Sequence, residues 1–144
     1  MLRQLELSDM DTAARIHRIA FDQALPMLAG LHTAEEDRGF FRERVFAECE
    51  LWGAFGDAGM DGMIAFRKDW IDQLYVLPEA QGRGIGSSLL RQAQTSFERL
   101  QLWTFQRNRR ARRFYEAHGF VLARETDGSG NEEKEPDALY LWAR

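Results

Sequence analysis

WIDQLYVLPEAQGRGIGSSLLRQAQTSFERLQLWTF, residues 70–105, changes its period twice. The first seven residues read as a strand. Gly82, Gly84 and Gly86 then break the pattern, a run from about Ser87 to Leu100 reads as a helix, and LWTF reads as a second strand. Two strands joined through a helix lie parallel in one sheet by a right-handed crossover. Upstream, ELWGAF and GMIAF are strand-like runs separated by the turn-rich GDAGMDG, and RKD leads into residue 70, so these strands form an antiparallel meander. Downstream, RNRRARRFYEAHG reads as a short helix ending at Gly119, followed by strands FVLAR and ALYLW. At the start, Leu2, Leu5 and Leu7 open a short strand. Ser8 with Asp11 and Thr33 with Glu36 predict capping boxes for two helices, the second carrying Phe40, Phe41 and Val45 as its apolar stripe. The order β-α-α-β-β-β-α-β-α-β-β predicts an α/β domain over residues 1–144, with flanking helices and a mixed, mostly antiparallel sheet that contains one parallel β-α-β unit.

The 144 residues are 44% hydrophobic, enough for one core that buries roughly 70% of the unfolded surface. No apolar run approaches the ~18 residues of a membrane span, and MLRQLELSDMD lacks a basic-then-apolar leader, so a cytoplasmic protein without a membrane partner is expected. The single Cys49 forms no internal disulfide, and no Cys or His stands at ligand spacing, so no metal is expected. A net charge of −4 argues against nucleic acid as a partner, because that needs a basic field.

The glycine loop admits two readings. It is a tight strand-to-helix turn, or it clears side chains from a helix N-terminus so that a phosphate can reach the unpaired N–H groups. A Walker-type loop requires Lys then Ser or Thr after its last glycine, whereas Gly86 precedes Ser87 and Ser88. A dinucleotide fingerprint requires G-x-G-x-x-G and an acid about 20 residues on; the glycine spacing here differs and LWTF ends without an acid. What remains is Q-x-x-G-x-G, as Gln81, Gly84 and Gly86 behind LYVLPEA. With it, NRRARRFYEAHGF supplies Asn108, Ala111, Tyr115, Gly119 and Phe120 in an N-x-x-A-x-x-x-Y-x-x-x-G-F pattern. In these two motifs, and in its element order, the chain resembles the GNAT superfamily of acetyl-CoA-dependent N-acetyltransferases.

That resemblance implies acetyl-CoA as cosubstrate and a gap between the two parallel strands that admits the pantetheine arm. Main-chain groups near Leu74 and Val76 would hold the arm, and the loop Gln81, Gly82, Arg83, Gly84, Ile85, Gly86, Ser87 would hold the pyrophosphate. Asn108 matches the second motif, Arg112 and Arg83 are candidate phosphate contacts, and Tyr115 matches the donor that protonates the departing thiolate. The acceptor would be a primary amine, on a small molecule or a peptide, and a homodimer is common among relatives. A non-catalytic acyl-CoA-binding module of the same fold is the alternative.

An alkylamine is mostly protonated at pH 7, so exposing its lone pair costs roughly 4.6 kcal/mol and some group must take the proton. Alternation along WIDQLYV puts Trp70, Asp72, Leu74 and Val76 on one face, which makes Asp72 the candidate base, with Glu79 and Glu36 as rivals. Residues 125–137, ETDGSGNEEKEPD, hold six acids against Lys134. They read either as a flexible hairpin loop or as an acidic wall that attracts a cationic amine. His17 and His118 lie in helices away from any shared spacing and are assigned no catalytic role.

Overall fold

The computed structural model describes residues Met1 to Arg144 and contains one seven-stranded sheet in the order β1-β2-β3-β4-β5-β7-β6. The strands are β1 (Leu2–Gln4), β2 (Glu50–Gly56), β3 (Gly59–Arg67), β4 (Trp70–Val76), β5 (Arg99–Phe105), β6 (Val121–Glu125) and β7 (Asp137–Ala143). Every neighbouring pair is antiparallel except β4 and β5. The helices are α1 (Met10–Ala24), α2 (Ala34–Phe40), the short α3 (Phe46–Glu48), α4 (Ile85–Ser96) and α5 (Arg109–Ala117), with a π turn at Phe41–Val45 joining α2 to α3. This is the mixed α/β architecture expected from the sequence.

The sheet separates two cores. Met10, Ala13, Ile16, Phe41 and Val45 pack one face of β2 to β4, whereas Leu89, Leu90 and Ala93 of α4, with Tyr115 and Phe120, pack Ile64, Phe66, Leu102 and Tyr140 from the other side. The α2 box forms as expected: Glu36 N donates to Thr33 Oγ1 at 3.1 Å and Thr33 N donates to Glu36 Oε1 at 2.7 Å. The expected Ser8–Asp11 box does not form. Asp9 Oδ2 instead accepts from Glu6 N at 2.8 Å and pairs with Arg3, so a 3-10 turn at Leu7–Asp9 precedes α1. The apolar stripe is also narrower than expected, because the π turn leaves Phe40 exposed while Phe41 and Val45 are buried.

Two irregularities shape the region between α1, β4, β5 and the β6–β7 loop. β4 opposes β3 as Phe66 to Ile71 and Ala65 to Gln73, which leaves Asp72 as an extra residue in a bulge. β6 opposes β7 as Leu122 to Tyr140 and Arg124 to Leu139, which leaves Ala123 extra. A bulge reverses the inward and outward alternation beyond it. The expected alternation through Trp70, Asp72, Leu74 and Val76 is thereby broken: Leu74 packs on the α4 side, while the Asp72 carboxylate meets Cys49 on the α1 side.

Candidate active site

β4 and β5 are in register at one position only, Trp70 opposite Gln101, where Gln101 N donates to Asp69 O at 2.8 Å. Beyond it β4 stays paired with β3 as far as Val76, so the edge of Gln73–Val76 that faces β5 has no strand partner. Unpaired main-chain groups there need hydrogen bonds from something other than the sheet. A cleft of about 1320 Å³ opens at this splay, and Leu74, Val76, Gln81, Gly82, Gly84, Ile85, Gly86, Ser87, Asn108 and Tyr115 all border it.

The glycine loop stands at one end. Gly82 and Gly84 adopt φ of 80° and 81°, the left-handed region that side chains disfavour. A Cβ at either position would meet nothing within 4 Å, so the space over the loop is open. Gly84 caps α4 without any side chain accepting from the first N–H groups, leaving an uncapped, partly positive helix end. Gln81 fastens the loop to β4 by donating from Nε2 to Val76 O at 3.0 Å. Gly86 serves packing: a Cβ there would lie 3.3 Å from the Phe114 ring, so α5 could not approach α4 as closely.

Ser87 and Asn108 have structural partners as well. Ser87 Oγ lies 2.8 Å from His118 Nε2, and His118 Nδ1 lies 2.8 Å from Phe114 O. A carbonyl only accepts, so Nδ1 carries a proton, and in the neutral ring the serine hydroxyl donates to Nε2. Asn108 Oδ1 caps α5 by accepting from Ala111 N at 3.2 Å. Arg83 is exposed at the loop tip. Arg112 is not brought into the cleft: its guanidinium donates to Tyr140 Oη at 2.9 Å and pairs with Glu125 at 3.4 Å on the far side of α5.

Tyr115 is only 8% exposed and packs between Phe114 and Phe120, yet its hydroxyl has no hydrogen-bond partner in the protein. Burial first, and then the charge Tyr75 would carry, raise its pKa well above that of a free phenol. Burial likewise pushes Tyr75 up to about 12. Both phenols therefore hold their protons at neutral pH and can donate into the cleft.

Asp72 borders the cleft floor with its carboxylate engaged. Arg67 Nε and Nη2 reach it at 2.7 and 3.2 Å, and Cys49 Sγ lies 3.4 Å away. The Cys49 thiol is pushed up to about 12 by burial and then by Asp72, so it is inert at neutral pH. The two rival acids lie outside the cleft, with Glu36 accepting from Thr33 N and Glu79 in the turn before the glycine loop.

The opposite end of the cleft is formed by Phe21 of α1, Trp103 and Phe105 of β5, and the β6–β7 loop. That loop is pinned by internal hydrogen bonds: Asn131 Nδ2 donates to Glu135 O at 2.8 Å and to Asp137 Oδ2 at 3.1 Å, and Thr126 Oγ1 donates to Asp137. His32 Nε2 lies 2.9 Å from Glu132 Oε1, which ties the loop to the α1–α2 connection, while Glu133 borders the cleft. Gln73, also on the cleft wall, has a buried Oε1 with no hydrogen-bond partner. Gln73 and Arg124 belong to no sequence motif; the bulges beside them, which no local signal announces, give them their directions.

No helix is long and apolar enough to cross a membrane. The chain matches the model of the acetyltransferase (GNAT) domain over residues 31–122. It is 30% identical over 82 residues to the peptidyl-lysine N-acetyltransferase YiaC of Escherichia coli, across 56% of each chain. The chain spans about half the length of the curated relatives it matches. Among solved structures, apo YjaB from Escherichia coli superposes with a TM-score of 0.81 at 19% identity, covering 99% of this chain and 96% of that one. The PaiA N-acetyltransferase of Thermoplasma acidophilum in complex with coenzyme A superposes at 0.71 and 22% identity, covering 100% and 98%. With the splayed strands, the uncapped helix behind the glycine loop and a family match across more than half its length, the chain belongs to the GNAT acetyltransferase family.

Proposed function

We propose that this protein transfers the acetyl group of acetyl-CoA to a primary amine by direct attack. The observation that carries the reading is the β4–β5 splay, with an uncapped helix end at one side and an unpartnered tyrosine hydroxyl on its wall. In this scheme the loop Gln81–Ser87 holds the pyrophosphate with its main-chain N–H groups, with Arg83 as an added cation. Asn108 borders the path of the pantetheine, and main-chain groups of Leu74 and Val76 fix the arm along β4. The amine nitrogen attacks the thioester carbon, a C–N bond forms, and the oxygen gains charge that a main-chain donor at the splay stabilises. Collapse breaks the C–S bond and the sulfur leaves with the electron pair. Tyr115 donates to that sulfur. Asp72, the one β4 carboxylate at the cleft, receives the proton lost by nitrogen, with Arg67 holding it in place. The peptidyl-lysine activity named for YiaC is an acceptor chemistry of this type.

Thermal unfolding tests the cosubstrate half of the proposal without an acceptor. Acetyl-CoA at 100 times its Kd is expected to add about 2.7 kcal/mol and raise Tm by roughly 5–10 °C, whereas NAD and ATP leave it in place. Equal shifts from all three, or none from acetyl-CoA at saturation, would overturn the assignment.

A further inference from the structure

Resting on the acetyltransferase reading above, we infer that the acceptor amine also carries a carboxylate, which Arg124 binds. The starting observation is the β6 bulge. If β6 ran without it, Ala123 would oppose Leu139 and Arg124 would follow Leu122 to the α5 face; with Ala123 extra, Arg124 opposes Leu139. Leu139 in turn opposes Trp103, so Trp103, Leu139 and Arg124 form one cross-strand row. That row lies on the sheet face opposite Leu102 and Tyr140, which α4 and α5 cover. The bulge therefore aims a cation across the sheet surface into the cleft.

Arg124 is held there by an aromatic face and by no acid. Its Cζ lies 5.4 Å from the Trp103 ring centroid, and it forms no ion pair or hydrogen bond within the protein. The surrounding arginines differ. Arg107 pairs with Glu135 at 3.2 Å, Arg112 pairs with Glu125 outside the cleft, and Arg109 and Arg110, in the first turn of α5, border the cleft without an acid partner but also without an aromatic ring to hold them. A guanidinium laid on a ring keeps its N–H edge free for a planar oxyanion. By stacking over Trp103 it also stands above β5, one splayed strand interval from Gln73 on β4.

At the β4 side the polar groups have the opposite preference, from Gln73 on β4 itself and from Glu133 of the β6–β7 loop, whose charge reaches Tyr75 on β4. Gln73 Oε1 is buried without a donor, and the Glu133 carboxylate borders the cleft without a cationic partner. Both favour an N–H donor. An amine at this side and an anion at Arg124 make one acceptor with two ends, oriented so that its nitrogen meets the thioester. A molecule that brings both groups into the cleft is a free amino-carboxylate, because peptide bonding removes the α-carboxylate of an internal residue.

The test is a thiol-release assay with matched acceptors, each amino acid set against the amine that lacks its carboxylate and against its amide. The wild type is expected to favour the carboxylated member by about ten- to a hundredfold in kcat/KM, as for one charge-assisted contact. Arg124→Gln is expected to bring that ratio close to one, and Arg124→Lys to restore part of it. In parallel, calorimetry of the CoA-loaded protein with N-acetyl amino acids reads the same contact without turnover. Arg124-dependent binding supports the inference. Equal rates for both members of each pair, a preference that survives Arg124→Gln, or no Arg124-dependent binding of the carboxylated product would each overturn it. Loss of the acetyl-CoA thermal shift would instead strike the acetyltransferase reading, so the two failures are distinguishable.

Discussion

A single hydroxyl separates Tyr115 from a purely structural aromatic. Its ring fills the space between Phe114 and Phe120, which Phe would fill equally well, but its oxygen points to no protein partner. That oxygen is not sealed in the core but opens on the cleft, so the hydroxyl adds a donor to the cleft wall that packing alone does not require. Tyr115→Phe is therefore expected to leave Tm unchanged or slightly higher and to preserve the acetyl-CoA shift. In the proposed mechanism it lowers kcat by about 10²- to 10⁴-fold, the usual contribution of a positioned acid. Because the phenol sits above its free value, the donor is not lost by ionisation anywhere in the neutral range. A rate within twofold of wild type would remove Tyr115 from the chemistry.

At the scale of elements, the β6–β7 loop depends on Gly128. Gly128 has φ of 84°, and a Cβ there would lie 2.4 Å from the Glu135 carbonyl carbon, so main chain faces main chain with no side chain able to yield. Gly128→Ala is expected to cost about 1–3 kcal/mol of stability through this strain. Since the loop walls the end of the cleft proposed for the acceptor, KM for the amine should rise while the acetyl-CoA shift stays, a split that steady-state kinetics and thermal unfolding together would show. This loop also marks where the sequence stops being legible. ETDGSGNEEKEPD reads as a flexible hairpin loop or as an acidic wall, because composition records polarity but not the Asn131 and Thr126 hydrogen bonds that fold it. The glycine loop and α5 were readable because positive-φ glycines and the Asn108 cap are local demands of the backbone. Asp72 and Arg124 were not, since a bulge depends on the partner strand's register, and the face each side chain takes is then a property of two strands. Arg112 turned toward the sheet and away from the cleft for a similar reason: Tyr140 and Glu125, distant in sequence, claim it.

Over the whole molecule, β4 is the boundary between two cores, and the side facing α1 includes an ionisable ring. His17 sits with its centroid 4.7 Å from Tyr75 and 5.5 Å from Phe41, and its Nδ1 is buried without a partner. Burial, followed by the repulsion of Arg18, lowers its pKa from 6.5 to about 4, although Asp37 and Asp22 oppose the shift. The folded ring is thus neutral where the unfolded ring is already charged. Its stabilising effect is complete above pH 6.5 and is lost progressively as pH falls toward 4, because protons bind the unfolded chain first. Between pH 7.5 and pH 5 the loss from this one group is about 2 kcal/mol. Carboxylates such as Asp9 and Asp37, held below their ordinary range, are affected mainly at lower pH. Urea unfolding of the wild type and of His17→Leu at both pH values isolates the term: the variant's pH dependence should be flatter by that amount, whatever its absolute stability. Parallel slopes in the two proteins would mean that His17 titrates normally and that the α1 face of β4 admits water. The cleft next to it would then be wetter than the proposed mechanism requires, since that mechanism needs water kept from the thioester.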